Sequence, residues 1–186
     1  MPYFVYVFFF SILSLSAFSQ QDSPDSMVMA TVDGEPICVR EFNLVSQKYK
    51  ALVIQEFRKK YKLNYDAGFW CNESVGESPA ENLKRRTLKT LISIKVQQLQ
   101  AKKMGIISDL SYHRFLNTLA QENQRRLIAK SNNRVIFGPV QYSEEVYYDY
   151  VFSNVVIQLK SKLNVNDKQY SDYINQQIAK AIIVQF

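Results

Sequence analysis

Met27-Val-Met-Ala-Thr-Val32, Asp33-Gly34 and Glu35-Pro-Ile-Cys-Val39 form two short apolar runs around a dipeptide whose residues both tolerate positive φ. This is a strong short-range hairpin signal, because a two-residue turn between twisted strands needs left-handed backbone at its centre. Pro36 lacks an N–H for any neighbour on its far side, so the second strand belongs at a sheet edge. Downstream the period changes. Between positions 39 and 62 apolar residues recur three and four apart, at Phe42, Val45, Tyr49, Leu52, Val53, Phe57 and Tyr61, the spacing of one amphipathic helix.

Residues 63–77 have no period and hold the only Trp; they read as a loop whose Phe69 and Trp70 tuck into the body. Its Asn72-Glu-Ser74 is a glycosylation sequon only in a eukaryotic secretory host. Ser78-Pro79-Ala80-Glu81 is a capping box with proline in the first turn, so a second helix starts there and runs to Met104, stopped by Gly105. Leu88, Leu91, Ile92, Val96 and Leu99 make its buried stripe. Ser108-Asp109 is expected to cap a third helix over 110–130, with Tyr112, Phe115, Leu116, Leu119 and Leu127 inward and a polar second half facing solvent. Asn132-Asn133 and Gly138-Pro139 mark an irregular connection. Ser143-Glu144-Glu145 opens a fourth, aromatic helix to about position 163, and Asn166-Asp-Lys-Gln169 caps a last one carrying Tyr170, Ile174 and Ile178. Ala181-Ile-Ile-Val-Gln-Phe186 is β-branched enough to leave the helix as a strand. The expected fold is mainly α: about five helices with a short N-terminal β-hairpin, joined by a C-terminal strand.

Residues 3–18 contain no charged side chain, and Ala17-Phe18-Ser19 puts small residues where a signal peptidase reads. The expectation is a secretory signal over 1–19, cut between Ser19 and Gln20, a flexible leader over 20–26, and a folded unit over 27–186. The run is short for a spanning helix, which needs about 20 apolar residues, although an uncleaved inner-membrane anchor is the alternative. Localisation is therefore expected to be periplasmic or otherwise extracytoplasmic.

The chain of 186 residues has 23 Lys+Arg against 17 Asp+Glu. The excess is local: residues 39–62 carry seven bases (Arg40, Lys48, Lys50, Arg58, Lys59, Lys60, Lys62) and two acids (Glu41, Glu56). Such a helix offers a face to an anionic membrane surface or an acidic polypeptide, or is simply solvated; export argues against nucleic acid.

Composition leans away from metal and nucleotide chemistry. One His and two separated Cys cannot make a four-ligand zinc site, and five scattered Gly form no phosphate cradle. His113 lacks a nucleophile partner in any recognisable motif, and Glu144, Glu145 and Asp149 sit where acids complement a helix dipole. No catalytic residue, metal site or cofactor is expected. Cys38 and Cys71 are a candidate disulfide, closing a loop of about 34 residues for roughly 3 to 4 kcal/mol; two free thiols are the alternative.

Val28-Met-Ala-Thr-Val-Asp-Gly-Glu-Pro-Ile37 with Arg40-Glu41-Phe42 resembles the opening of SurA-type and PrsA-type extracytoplasmic chaperones, where a strand, an Asn/Asp-Gly turn, "x-Pro-Ile-Thr" and a helix follow one another. Gly105-Ile106 with Ser108-Asp109 is similar to that family's helix junction, and Tyr170-Ser171, Gln176-Gln177, Ala179, Ala181 and the final Ile-Ile-Val-Gln-Phe resemble its closing helix and strand. Cys38 stands where the family commonly has a Thr or Ser cap, and there is no room for a parvulin isomerase domain.

The resemblance implies a SurA-like helical core acting as an ATP-independent holdase for unfolded or nascent exported polypeptides. Aromatic rings give much contact area with few rotors to freeze, so Tyr142, Tyr147, Tyr148, Tyr150 and Phe152, rimmed by the basic helix, are the candidate client-binding residues. The same stripe at helical spacing also suits a core. Two other functions stand beside the holdase: a structural or assembly subunit docking one dedicated envelope partner, and a minimal prolyl isomerase.

Overall fold

Asp33 and Gly34 take left-handed backbone (φ 49° and 83°), so β1 (Val28–Val32) turns directly into β2 (Glu35–Cys38). This computed structural model describes residues 27–73 and 76–186. The expected signal segment, its cleavage point at Ser19-Gln20, the leader over 20–26 and Ser74 of the sequon lie outside the described residues.

β1 is central in a three-stranded sheet ordered β2-β1-β3, where β3 (Ile183–Gln185) returns antiparallel to β1. Pro36 thus lies on an edge strand, and the C-terminal segment closes onto the hairpin. Asp33 clips that closure at both ends of its own residue. Its N–H donates to Ile182 O and its carboxylate accepts the Ile182 N–H, each at 2.8 Å.

α1 (Val39–Tyr61) starts at Cys38, whose sulfur accepts the Glu41 N–H at 3.4 Å and does the work of the hydroxyl cap. α2 (Pro79–Lys103) begins with the predicted capping box and ends at Gly105 (φ 69°), beyond which Ile106 N–H returns to Ala101 O. α2 is the axis of the molecule. Over 94–101 nearly every side chain is buried, because α1, α4 (Glu144–Leu163) and α5 (Asp167–Lys180) pack around it. One core joins the sheet to α1, α2 and α4, another joins α2, α4 and α5, and a third encloses Val53, Phe57 and Phe69. Phe69, in the 3-10 turn Phe69–Cys71, is buried as expected, with half-buried Trp70 edge-on at 5.3 Å.

Three expectations are corrected. α3 (Tyr112–Ser131) begins later than predicted: Ser111 caps it, and the Asp109 carboxylate instead accepts the Ser111 N–H at 2.8 Å. Within α3, Leu127 is exposed while Arg126, from the polar stretch expected in solvent, is buried; α1 likewise leaves Leu52 exposed. Cys38 and Cys71 are free thiols, not a disulfide. They lie at opposite ends of α1, whose 23 residues span about 35 Å at 1.5 Å per residue. No helix among the described residues is long and apolar enough to cross a membrane.

Candidate functional site

Ser143 accepts the Val146 N–H and so fixes the first turn of α4, sending Tyr147 and Tyr148 inward together. Ahead of them Tyr142 is clasped by Asn123 of α3, whose side chain donates to the Tyr142 carbonyl (2.9 Å) and accepts its N–H (2.7 Å). Arg126, one turn further along α3, donates to the Tyr142 hydroxyl (2.8 Å) and lies 4.4 Å from its ring centre. Its guanidinium also donates twice to the Phe137 carbonyl, at 2.9 and 2.7 Å. One buried arginine therefore ties α3, the 132–142 connection and the entry to α4.

The result is a continuous run of rings. Tyr150 stacks on Tyr142 at 5.8 Å, Tyr142 meets Tyr147 at 5.5 Å, Tyr147 meets Phe115 at 5.7 Å, and Phe115 meets Tyr148 at 5.4 Å and Tyr112 at 5.1 Å. Beneath the inner half of this run is a cavity of about 290 Å³ between α3, α4 and the 106–111 connection. That is the small end of ligand-site volumes, with room for one or two side chains. Tyr147, Tyr148 and Phe152 of the expected client-binding set line it, together with Ile107, Tyr112 and Phe115. Tyr142 and Tyr150 do not; they extend the aromatic surface outside the cavity, with Tyr150 half in solvent.

Charge at the floor was not foreseen in the sequence. Glu41 lines the cavity and is fully buried; its carboxylate accepts the Tyr148 hydroxyl at 2.7 Å and faces the Lys95 ammonium at 3.4 Å. Beside it Glu144 accepts from Tyr112 and from two nitrogens of Arg40, at 3.1 and 2.7 Å. The hydrogen-bonded Arg40 guanidinium holds the Glu144 carboxyl below the usual range. Burial, reinforced by the facing carboxylates, pushes the Tyr112 and Tyr148 hydroxyls well above theirs. In the wall, the Gln98 side-chain oxygen is buried and has no hydrogen-bond partner among the described residues.

The basic helix does not rim this cavity as expected. Arg40 and Lys48 reach α4, pairing with Glu144 and Asp149, but Arg58, Lys59, Lys60 and Lys62 lie some 25–30 Å away along α1. They have no carboxylate partner among the described residues, since Glu56 pairs with Arg86 and Glu41 with Lys95. His113 is on the exposed face of α3, 3.0 Å from the Asn117 amide. Among the described residues no group of three or more His, Cys, Asp or Glu could hold a metal ion. No protein family, curated protein or solved structure matches this chain.

Proposed function

We propose that the protein is an ATP-independent extracytoplasmic chaperone that holds unfolded or nascent exported polypeptides by their apolar and aromatic side chains. The observation that carries the reading is the aromatic run from Tyr150 to Tyr112 with a cavity beneath it. A holdase needs apolar surface that is displayed but divided, so that it takes up single side chains without self-association. Here most of the rings are buried or half-buried and one end of the run is open. The uncharged run over 3–18 supports export, and the bases at the end of α1, which have no carboxylate partner among the described residues, suit an anionic membrane surface. The proposal assigns no catalysis and no cofactor.

The test is suppression of aggregation of a denatured, unrelated exported protein by the purified chain without ATP. Suppression near stoichiometric ratios, lost in Phe152→Asn and Tyr150→Ser variants whose circular dichroism is unchanged, supports the reading. No suppression by a folded sample overturns it. A proline isomerisation assay on a model peptide should show no acceleration.

One observation favours the dedicated-partner alternative. Phe137 and Val135 are 86% and 82% exposed, yet the Phe137 carbonyl is pinned by Arg126. An apolar side chain displayed on a fixed backbone suits a single partner better than many clients. Capture of one protein from the native envelope at fixed stoichiometry, lost in Phe137→Ser, would select that reading.

A further inference from the structure

β3 makes its bonds to β1 through alternate residues. Asp33 N–H reaches Ile182 O, Phe186 N–H reaches Met29 O, and Thr31 faces Val184 between them. By the period of a strand, the N–H and C=O groups of Ile183 and Gln185 point the other way. Among the described residues no strand lies on that side. Natural edges are commonly guarded by a Lys, a Pro or a bulge, as β2 is by Pro36. β3 has none of these, and Ile182, Ile183, Val184 and Phe186 are all exposed.

The space under this edge is also open. Ile183 and Gln185 share the sheet face of the buried Ala30 and Val32 and border a groove of about 1360 Å³. Leu88, Ile92 and Ile178 line the groove beneath them, where the inward side chains of a fourth strand would rest. Its rim holds Lys84 and Lys89, which have no carboxylate partner among the described residues; Glu77 is taken by Arg85 and Glu81 by the Ser78 cap.

We propose that the open edge of β3 is a strand-addition site for an extended segment of another polypeptide, apolar on alternate residues and acidic or neutral between them. Backbone bonds to Ile183 and Gln185 supply sequence-tolerant affinity, and the groove with Lys84 and Lys89 selects the alternation and the charge, its third lysine, Lys48, being paired with Asp149. The proposal takes its kind of partner from the chaperone reading and meets the aromatic cavity only at Phe152, which lines both the cavity and the groove.

The probe is a fluorescent peptide of about eight residues, an ordinary strand length, alternating valine with glutamate, titrated against the full chain. It should bind and slow amide exchange at Ile183 and Gln185. Affinity should fall about tenfold or more, at least one hydrogen bond's worth, in Ile183→Pro, which removes the outward N–H together with the isoleucine side chain that borders the groove. The unchanged chain should lose as much towards a peptide N-methylated on alternate amides, so the test survives a misfolded variant. Equal binding in both comparisons, or unchanged exchange, overturns the proposal. So does a chain that pairs β3 with a second copy of itself and takes no peptide. Aggregation suppression measured in parallel separates the two readings: suppression without peptide binding sinks the edge site alone, and peptide binding with exchange protection but no suppression sinks the chaperone reading alone.

Discussion

Lys95 and Glu41 are about 1% exposed, and their separation of 3.4 Å makes each the other's principal compensation. Removing one charge from such a pair strands the other in a low-dielectric core. Lys95→Met should therefore cost about 3–5 kcal/mol in urea denaturation, and adding Glu41→Gln should recover most of it; a double variant as unstable as the sum of the singles would refute the coupling. The neighbouring hydroxyls set a pH window. Tyr112 and Tyr148 ionise above the ordinary value of about 10, so the folded chain releases its protons later than the unfolded one. Their contribution is complete below about pH 10 and is lost as pH rises beyond it. At the acid end Arg85 and Asn82 pull Glu77 down to about 2, and Arg40 lowers Glu144. Those contributions are present above about pH 4.5 and fade as pH falls towards 2. Denaturation midpoints followed across pH should show both limbs, and Tyr148→Phe should flatten the alkaline one.

α3 is the element whose placement depends most on single side chains, because Asn123 and Arg126 hold the connection that leads into α4. Arg126→Met keeps much of the buried stem but frees the Phe137 carbonyl and the Tyr142 hydroxyl. Limited trypsin digestion should then cut after Arg134 several-fold faster while helical content stays the same; unchanged cutting would mean that the connection is held by something else. This tie was invisible in the sequence for the reason that Glu41 was. An arginine in a polar run reads as solvated, and an acid in a first turn reads as a dipole partner, unless the residue it meets is known. Glu41 meets Lys95 and Tyr148, 54 and 107 positions away. Caps were legible because their partners are three residues off: Ser78 with Glu81 and Asn166 with Gln169 both form as read. The start of α3 was misread within the same short range, since Asp109 and Ser111 both suit a cap and the sequence does not say that Leu110 is buried outside the helix. Of the aromatic residues singled out in the sequence, Tyr147, Tyr148 and Phe152 line the cavity, whereas Phe115 and Tyr112 across it belong to another helix and carry no signal that links them to α4.

At the scale of the molecule, β3 is what joins the end of the chain to its first described strand, and the hydrogen bonds of that join are unequally placed. Val184 faces Thr31 and directs its N–H to β1, whereas the Ile183 N–H points away. The same substitution one residue apart thus asks two different questions. Val184→Pro deletes an inward donor and leaves the Thr31 carbonyl unmatched on that side, which should cost about 1–3 kcal/mol and speed amide exchange at Asp33 and Thr31. Ile183→Pro removes a group with no partner in the sheet, so it should cost clearly less than Val184→Pro, losing only part of the Ile183 side-chain packing beside Val32. Equal losses in the two variants would mean that β3 is not held in this register, and the outward-facing edge at Ile183 and Gln185 would then lose its basis. A large loss confined to Val184→Pro would fix the register from which that edge follows, because in a strand the residue that faces inward determines which of its neighbours face out.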